Sequence, residues 1–376
     1  MAAAREVIVV GAGFAGLAAA IGFADAGLRV RVLERDEAIS PLGSGITLQG
    51  NALRCLEALG VGDEVRARSW AFDVLGFRDA GDGRVIATVE AEKAGGPDFP
   101  ATAGMYRPEL ARILFERATA LGVQFTWTSE VTSVRQTDER VVVGTADGVH
   151  YEADLVIGAD GLKSRLRHLL GVETDGETIG MGIWRAFVPR LPEITHTELT
   201  YGGAAHYVGY CPTGEDSMYV YVVEELTDRS ALGAPERIAI MRELAATYPA
   251  PWDRIAPMLD ESAQVNYTAI TRLAVPAPWN RGRVVLIGDA VHSCPPTLAQ
   301  GAAQALEDAS VIVDVVAHSE RLDDDMWARF HRRRVDRAIR VVDGSVTLSD
   351  WQREGRSGGN AAELMRGIAT MLAVPA

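Results

Sequence analysis

The hydrophobic positions of the chain change period along its length, and each change predicts an element. Residues 7–10 are a short unbroken apolar run of the kind buried on both faces. A glycine turn follows, then an Ala-rich helical stretch over residues 14–26 with Gly27 as its stop, then a strand carrying Val30, Val32 and Leu33. Strand, tight turn, helix and strand make one βαβ unit. Asn51 stands where it caps a helix running to Leu59. Residues 71–89 read as two strands around the turn sequence AGDG. The stretch YRPELARILFERATALG is a helix, with Pro108 in its first turn and Gly122 past its end. Strands are predicted near 123–128, 131–136, 141–145 and 155–157.

From about residue 181 to 272 the period becomes two. HYVGYCP and SMYVYVVEE alternate aromatic with other residues, which predicts a mostly antiparallel sheet with helices near 236–247 and 252–259. Residues 283–287 return to a buried parallel-type strand, and the remainder is helical. Within it, the arginines at 332–334 read as a solvated helix face. EKAGGPDFPATAG reads as a mobile loop. The final LMRGIATMLAVPA is mildly apolar and suited to packing on the body or on a partner subunit. The pattern is that of an α/β protein.

Composition narrows the function. With 376 residues, 48% of them hydrophobic, the chain can bury two ordinary cores. A net charge of -14 excludes a nucleic-acid or anionic-membrane partner as the default. Cys55, Cys211 and Cys294 are far apart and have no metal spacing, so no metal is expected and a reduced, cytoplasmic protein is the economical reading. The first strand begins too early to leave room for a signal peptide, and no apolar run approaches the roughly 18 residues of a membrane span.

The chemistry begins at Gly11, Gly13 and Gly16. The first glycine allows a tight turn, the second lets a pyrophosphate reach the backbone, and the third lets the helix pack on the strand. Glu34 ends the second strand, where a carboxylate can grip ribose hydroxyls. This is a dinucleotide site. Much later, GDAVHSCPPTLAQGAAQALEDA places Asp289 behind an apolar strand, then two prolines, then a Gly–Ala helix start. A second acidic turn is foreign to a simple NAD fingerprint.

GAGFAG with Glu34, GADGLKSRLR and the Asp289 segment together resemble the three fingerprints of the class A flavin-dependent aromatic hydroxylases, the para-hydroxybenzoate hydroxylase-like family. The resemblance runs over nearly the whole chain in the family's order. It implies a Rossmann-like FAD-binding domain, a mostly antiparallel substrate-domain sheet and a helical C-terminus. The expected division is FAD-binding at 1–70, 106–178 and 276–320, substrate domain at 71–105 and 179–275, and C-terminal helices at 321–376. It implies FAD contacts at Gly11, Gly13, Phe14, Ala15, Gly16, Glu34, Arg35, Gly45, Arg107, Val131, Asp160 and Asp289. Gly301 and Ala302 open the helix expected to face the flavin, where a helix N-terminus favours the negative charge of the reduced ring. NADH or NADPH is expected to bind transiently, and a C4a-hydroperoxyflavin to pass oxygen from O2 to a phenol or hydroxypyridine, with or without decarboxylation.

SPLGSGITLQGN lacks the arginines that para-hydroxybenzoate hydroxylases carry there and looks more like the salicylate and hydroxynicotinate hydroxylases. It places Thr47 near the flavin, and an alcohol is a poor base. Tyr210 is the leading candidate to orient or deprotonate the substrate hydroxyl, His206 a weaker one, and Pro295 and Pro296 are expected to present free carbonyls to the substrate. His292 reads as structural. A monomer or homodimer is expected. The competing readings are a flavin oxidase or dehydrogenase, a monooxygenase of polyketide-like rings, and a flavin sensor without turnover.

Overall fold

The computed structural model describes residues 3–40, 43–355 and 359–376. Pro41 and Leu42, in the segment before Thr47, lie outside them. The apolar runs read from the sequence assemble into a six-stranded sheet in the order Asn280–Arg281, Val284–Leu286, Leu155–Gly158, Glu6–Val10, Arg29–Leu33, Gln124–Thr126. All neighbours are parallel except the first pair. Val9, Val32, Leu155 and Val285 are at most 1% exposed, as expected for strands covered on both faces. Helix Phe14–Asp25 packs beside Arg107–Ala120 and Gly301–Ala317.

The period-two region forms an eight-stranded sheet in the order His292–Ser293, Asn266–Ala274, Glu177–Pro189, Ser217–Glu225, Tyr207–Pro212, Thr197–Tyr201, Val74–Arg78, Val85–Glu90. One face carries Trp184, Val208, Tyr210, Val220 and Val222 and is sealed by the helices Ala234–Ala245 and Trp252–Ile255. The other face meets a small sheet of Gly45–Gln49, Thr102–Tyr106 and Ser69–Phe72. This contact is close because two glycines make it so. A Cβ on Gly104 would sit 1.9 Å from the Pro212 carbonyl, and one on Gly45 would sit 2.0 Å from the Tyr219 ring.

Three local expectations are corrected. Asn51 is not a cap. Gln49 holds that position, and Asn51 is fully buried, donating to Gln300 and Glu307 at 3.0 Å each. The segment 92–104 is no free loop. Thr102 onward is a strand, and Ala94 and Ala101 are buried, because Gly95 packs directly on Gly50. Arg334 is not on a solvated face. It is 0% exposed on helix Asp324–Arg353 and donates to Asp308 at 2.7 Å and to Glu307 at 2.6 Å. Arg332 is exposed, as expected. The last helix, Gly359–Ala373, packs on the body through Ile368 and Leu372, and its final carbonyls accept from Arg54 and Arg337.

Candidate active site

The glycine turn opens onto a cleft of about 310 Å³. Gly11 has φ +104°, and a Cβ there would lie 2.4 Å from the Ala159 carbonyl. Gly16 presses on the Gly11 carbonyl, whereas a Cβ on Gly13 would meet nothing within 4 Å. Two glycines therefore serve packing, and Gly13 keeps the backbone bare toward the cleft. Phe14 lines the cleft, and Ala15 is buried behind it against Gly288. Glu34 is held in place by the Ala12 N–H at 2.6 Å and the Asp36 N–H at 3.0 Å. Arg35 and Val131 line the same wall. The Arg107 guanidinium stands 5.1 Å from the Phe14 ring centre and makes no side-chain hydrogen bond among the described residues.

Asp160 also lines the cleft, but its carboxylate is used locally. It accepts from the Ser164 hydroxyl at 2.5 Å and the Leu166 N–H at 3.0 Å rather than pairing with Arg165 or Arg167. Arg167, fully buried, donates to the Ala290 carbonyl at 3.0 Å and so bolts this motif to the Asp289 turn.

Asp289 is the reverse case. Protein crowds it, which pushes its carboxyl up, while the His292 and Arg107 charges pull it down. Its side chain is nonetheless exposed, and no described group hydrogen-bonds to it. An exposed carboxylate and cation without hydrogen-bond partners among the described residues, a bare glycine turn and a helix start with open space before Gly301 form a donor set that fits FAD. Ala302 follows Gly301 at that helix start, half-buried. Behind the turn, His292 is structural, with Nε2 2.6 Å from the Asp308 carboxylate. Pro295 and Pro296 fix the corner, where the Pro296 carbonyl accepts from the Ala299 N–H at 2.8 Å.

Strand alternation puts Tyr210 on the face away from the cleft. It is 1% exposed, packed near Trp252, donates to Glu198 and accepts from Arg78 at 2.9 Å. Burial and then Glu198 push its phenol well above the usual range. His206 has the Glu225 carboxylate 3.3 Å from its Nε2 at the edge of that strand. Tyr210→Phe is expected to cost about 1–2 kcal/mol of stability, since Glu198 loses a buried donor. Thermal denaturation checks this, and substrate-stimulated turnover should stay within about twofold of the parent.

The face turned to Gly45–Gln49 carries Arg185, Phe187, Tyr207, Cys211, Tyr219 and Tyr221. Thr47 Oγ1 lies 2.8 Å from the Tyr219 hydroxyl and 3.6 Å from Cys211 Sγ. Burial pushes the Cys211 thiol up to about 11, so this cluster offers no base. Tyr219, Tyr221 and Arg185 are surrounded by protein yet keep accessible surface, the mark of an internal space. The hydroxyls of Tyr207 and Tyr221 have no hydrogen-bond partner among the described residues. Among the described residues Arg185 donates to Thr268 alone, at 2.9 Å. These residues were missed because alternation alone names two faces and not which is inward. Gly209, whose Cβ would strike the Tyr221 ring and hydroxyl, was the available signal.

Known proteins resemble the chain over most of its length. Residues 4–345 match the family described as FAD binding domain. The chain is 29% identical over 357 residues to the putative FAD-dependent monooxygenase YetM of Bacillus subtilis, covering 94% of this chain and 95% of that one. It is 31% identical to 6-hydroxynicotinate 3-monooxygenase of Bordetella bronchiseptica, covering 89% of each. Among solved structures, the tetrameric form of 2-methyl-3-hydroxypyridine-5-carboxylic acid oxygenase superposes with a TM-score of 0.80 at 26% identity, over 98% of this chain and 97% of that one. No described helix is long and apolar enough to cross a membrane, and no described cluster is suited to a metal ion.

Proposed function

Because the chain belongs to the FAD binding domain family, we propose that it hydroxylates an acidic aromatic or heteroaromatic ring, with NADH or NADPH as electron source and O2 as oxidant. It is an FAD-dependent monooxygenase, like its relatives. FAD, held by the glycine turn, Glu34, Arg107 and Asp289, would supply the redox chemistry.

The observation that carries the substrate reading is Arg185. A guanidinium enclosed by protein, with a single hydroxyl partner and no carboxylate, lacks its counter-ion. An anionic ring substituent, whether carboxylate or ring oxygen, answers that need and makes the ring a better nucleophile. The hydroxyls of Tyr207 and Tyr221 flank the same space. Burial holds both phenols far above neutral pH, so they act as hydrogen-bond donors to the substrate rather than as bases. Phe187, Ile183 and the tyrosine rings exclude water from the reacting groups.

The purified protein should be yellow and release FAD on denaturation. Hydroxypyridines, salicylates and other phenols should stimulate NAD(P)H oxidation with one oxygen atom gained by the product. Hydrogen peroxide without product would instead mark an oxidase. Arg185→Met should raise KM for the anionic substrate about 10- to 100-fold with a smaller change in kcat. An unchanged KM would remove Arg185 from substrate binding.

A further inference from the structure

Helix Gly301–Ala317 starts at the cofactor cleft, and beside its far end lies a second hollow, of about 230 Å³, closed on the other side by the first turns of helix Asp324–Arg353. Its lining is Asp314, Val315, His318, Arg329, Arg332 and Arg333. The chain holds 51 acidic residues against 37 basic ones, and its arginines readily find carboxylates. Arg112 pairs with Glu64, Glu109 and Glu116, and Arg140 with Glu6, Glu152 and Asp154. The hollow inverts that balance, setting three guanidiniums and an imidazole against one carboxylate. That carboxylate is engaged, since Asp314 pairs with Arg333 and lies 3.1 Å from His318 Nδ1. Arg333 also donates to the Ala376 carbonyl at 2.7 Å. Arg329 donates to the Ser319 hydroxyl at 2.5 Å, and Arg332 makes no hydrogen bond or ion pair among the described residues. Asp325 and Asp336, one turn along the helix from these two arginines, form no ion pair with them.

We infer that this hollow binds a small multivalent anion of the phosphate class, held by the Arg329 and Arg332 guanidiniums. The chemistry follows from what the protein leaves unmet. Two cations share one concavity without a carboxylate of their own, and Arg329 is half-buried, so salt screens it less than a free surface charge. The guanidinium fork matches phosphate oxygens two at a time, and such charge-assisted bonds are about twice as strong as neutral ones. A monovalent ion would leave one of the two cations unanswered. The volume falls below the roughly 300–1,000 Å³ of sites that enclose larger organic ligands, which favours a compact anion. A net charge of -14 repels a nucleic-acid backbone. Bound there, the anion bridges two helices one residue away from Arg334, whose bonds to Glu307 and Asp308 join the same pair. It therefore stabilises the folded chain. The inference does not depend on which ring the enzyme hydroxylates.

Calorimetric titration with pyrophosphate tests this. The FAD-loaded protein is used, so that the cofactor cleft is filled, and ionic strength is held constant with sodium chloride. One saturable site is expected. Arg332→Gln, at an exposed position with no partner to lose, should weaken it about 3- to 10-fold, and the double change Arg329→Gln with Arg332→Gln about 10- to 100-fold. Arg135→Gln, which removes an exposed charge elsewhere, should leave it unchanged. Saturating pyrophosphate should raise the thermal midpoint of the parent but not of the double variant. Orthophosphate and AMP separate the sources. AMP binding as tightly as pyrophosphate assigns the hollow to a phosphate ester, and binding of the two inorganic anions alone assigns it to the free ion. Neither saturation nor a midpoint shift up to about 10 mM pyrophosphate overturns the inference. So does a site that the double variant leaves at full strength, or one that Arg135→Gln weakens as much as Arg332→Gln, which reduces the effect to the overall charge of the chain.

Discussion

Arg334→Met is expected to lower the free energy of unfolding by about 3–5 kcal/mol, because it removes the buried cation shared by two buried carboxylates. Set against a typical total of about 5–15 kcal/mol, that is a severe loss. Arg334 is the cation between Glu307 and Asp308, and both carboxylates lie on the helix whose first turn faces the cofactor cleft. Asp308 also accepts from the Gly288 N–H at 2.8 Å and bonds His292, so the same network fixes the Asp289 turn. Burial alone would raise the Asp308 carboxyl, but the charges of His292 and Arg334 outweigh it and bring it down from 3.8 to about 2. The folded value lies below the unfolded one. The stabilisation is therefore complete above about pH 4 and is lost as pH falls through about 2. Urea denaturation of the parent and variant, repeated down this acid range, measures both effects. A loss below about 1 kcal/mol in the variant would show that the network is not needed to hold the helix.

Asp289→Ala should weaken FAD about 10- to 100-fold while leaving the fold of the FAD-free protein as stable as the parent. The contrast with Asp308 is physical. Asp308 is saturated by protein partners, whereas Asp289 accepts no hydrogen bond among the described residues and its carboxyl is raised above the usual range by the surrounding protein. Removing it costs the protein no hydrogen bond and costs a ligand at least one charge-assisted one. Fluorescence titration of the FAD-free protein checks the affinity, and Asp289→Asn should fall between the two. Full affinity in Asp289→Ala would end its assignment to the cofactor.

The βαβ unit, the Arg107–Ala120 helix and the cleft residues Gly11, Gly13, Glu34 and Arg107 were legible because their signals are local: a run of valines, a proline in the first turn, glycines at fixed offsets. Tyr210 and Tyr219 show the opposite limit. Period two says that neighbouring side chains point to opposite sides of a sheet, and says nothing about which side faces a cofactor. The deciding contacts are not local: Gly45 meets Tyr219 from a segment more than a hundred residues away, and the cover over Tyr210 comes from helices that begin at Ala234 and Trp252. Arg334 was misread for a similar reason. Three consecutive arginines look like a wet surface until Glu307 and Asp308 arrive from another helix.

The meeting of the small sheet with the large one at Gly45 and Gly104 sets how this enzyme can be reshaped. At Gly104 main chain rests almost on main chain and at Gly45 main chain rests on the Tyr219 ring, so no side chain can be added at either glycine without prising the layers apart. The depth of the reaction site is therefore a fixed dimension of the scaffold. A variant meant to accept a bulkier ring has freedom where side chains form the boundary, as at Phe187 and Tyr221.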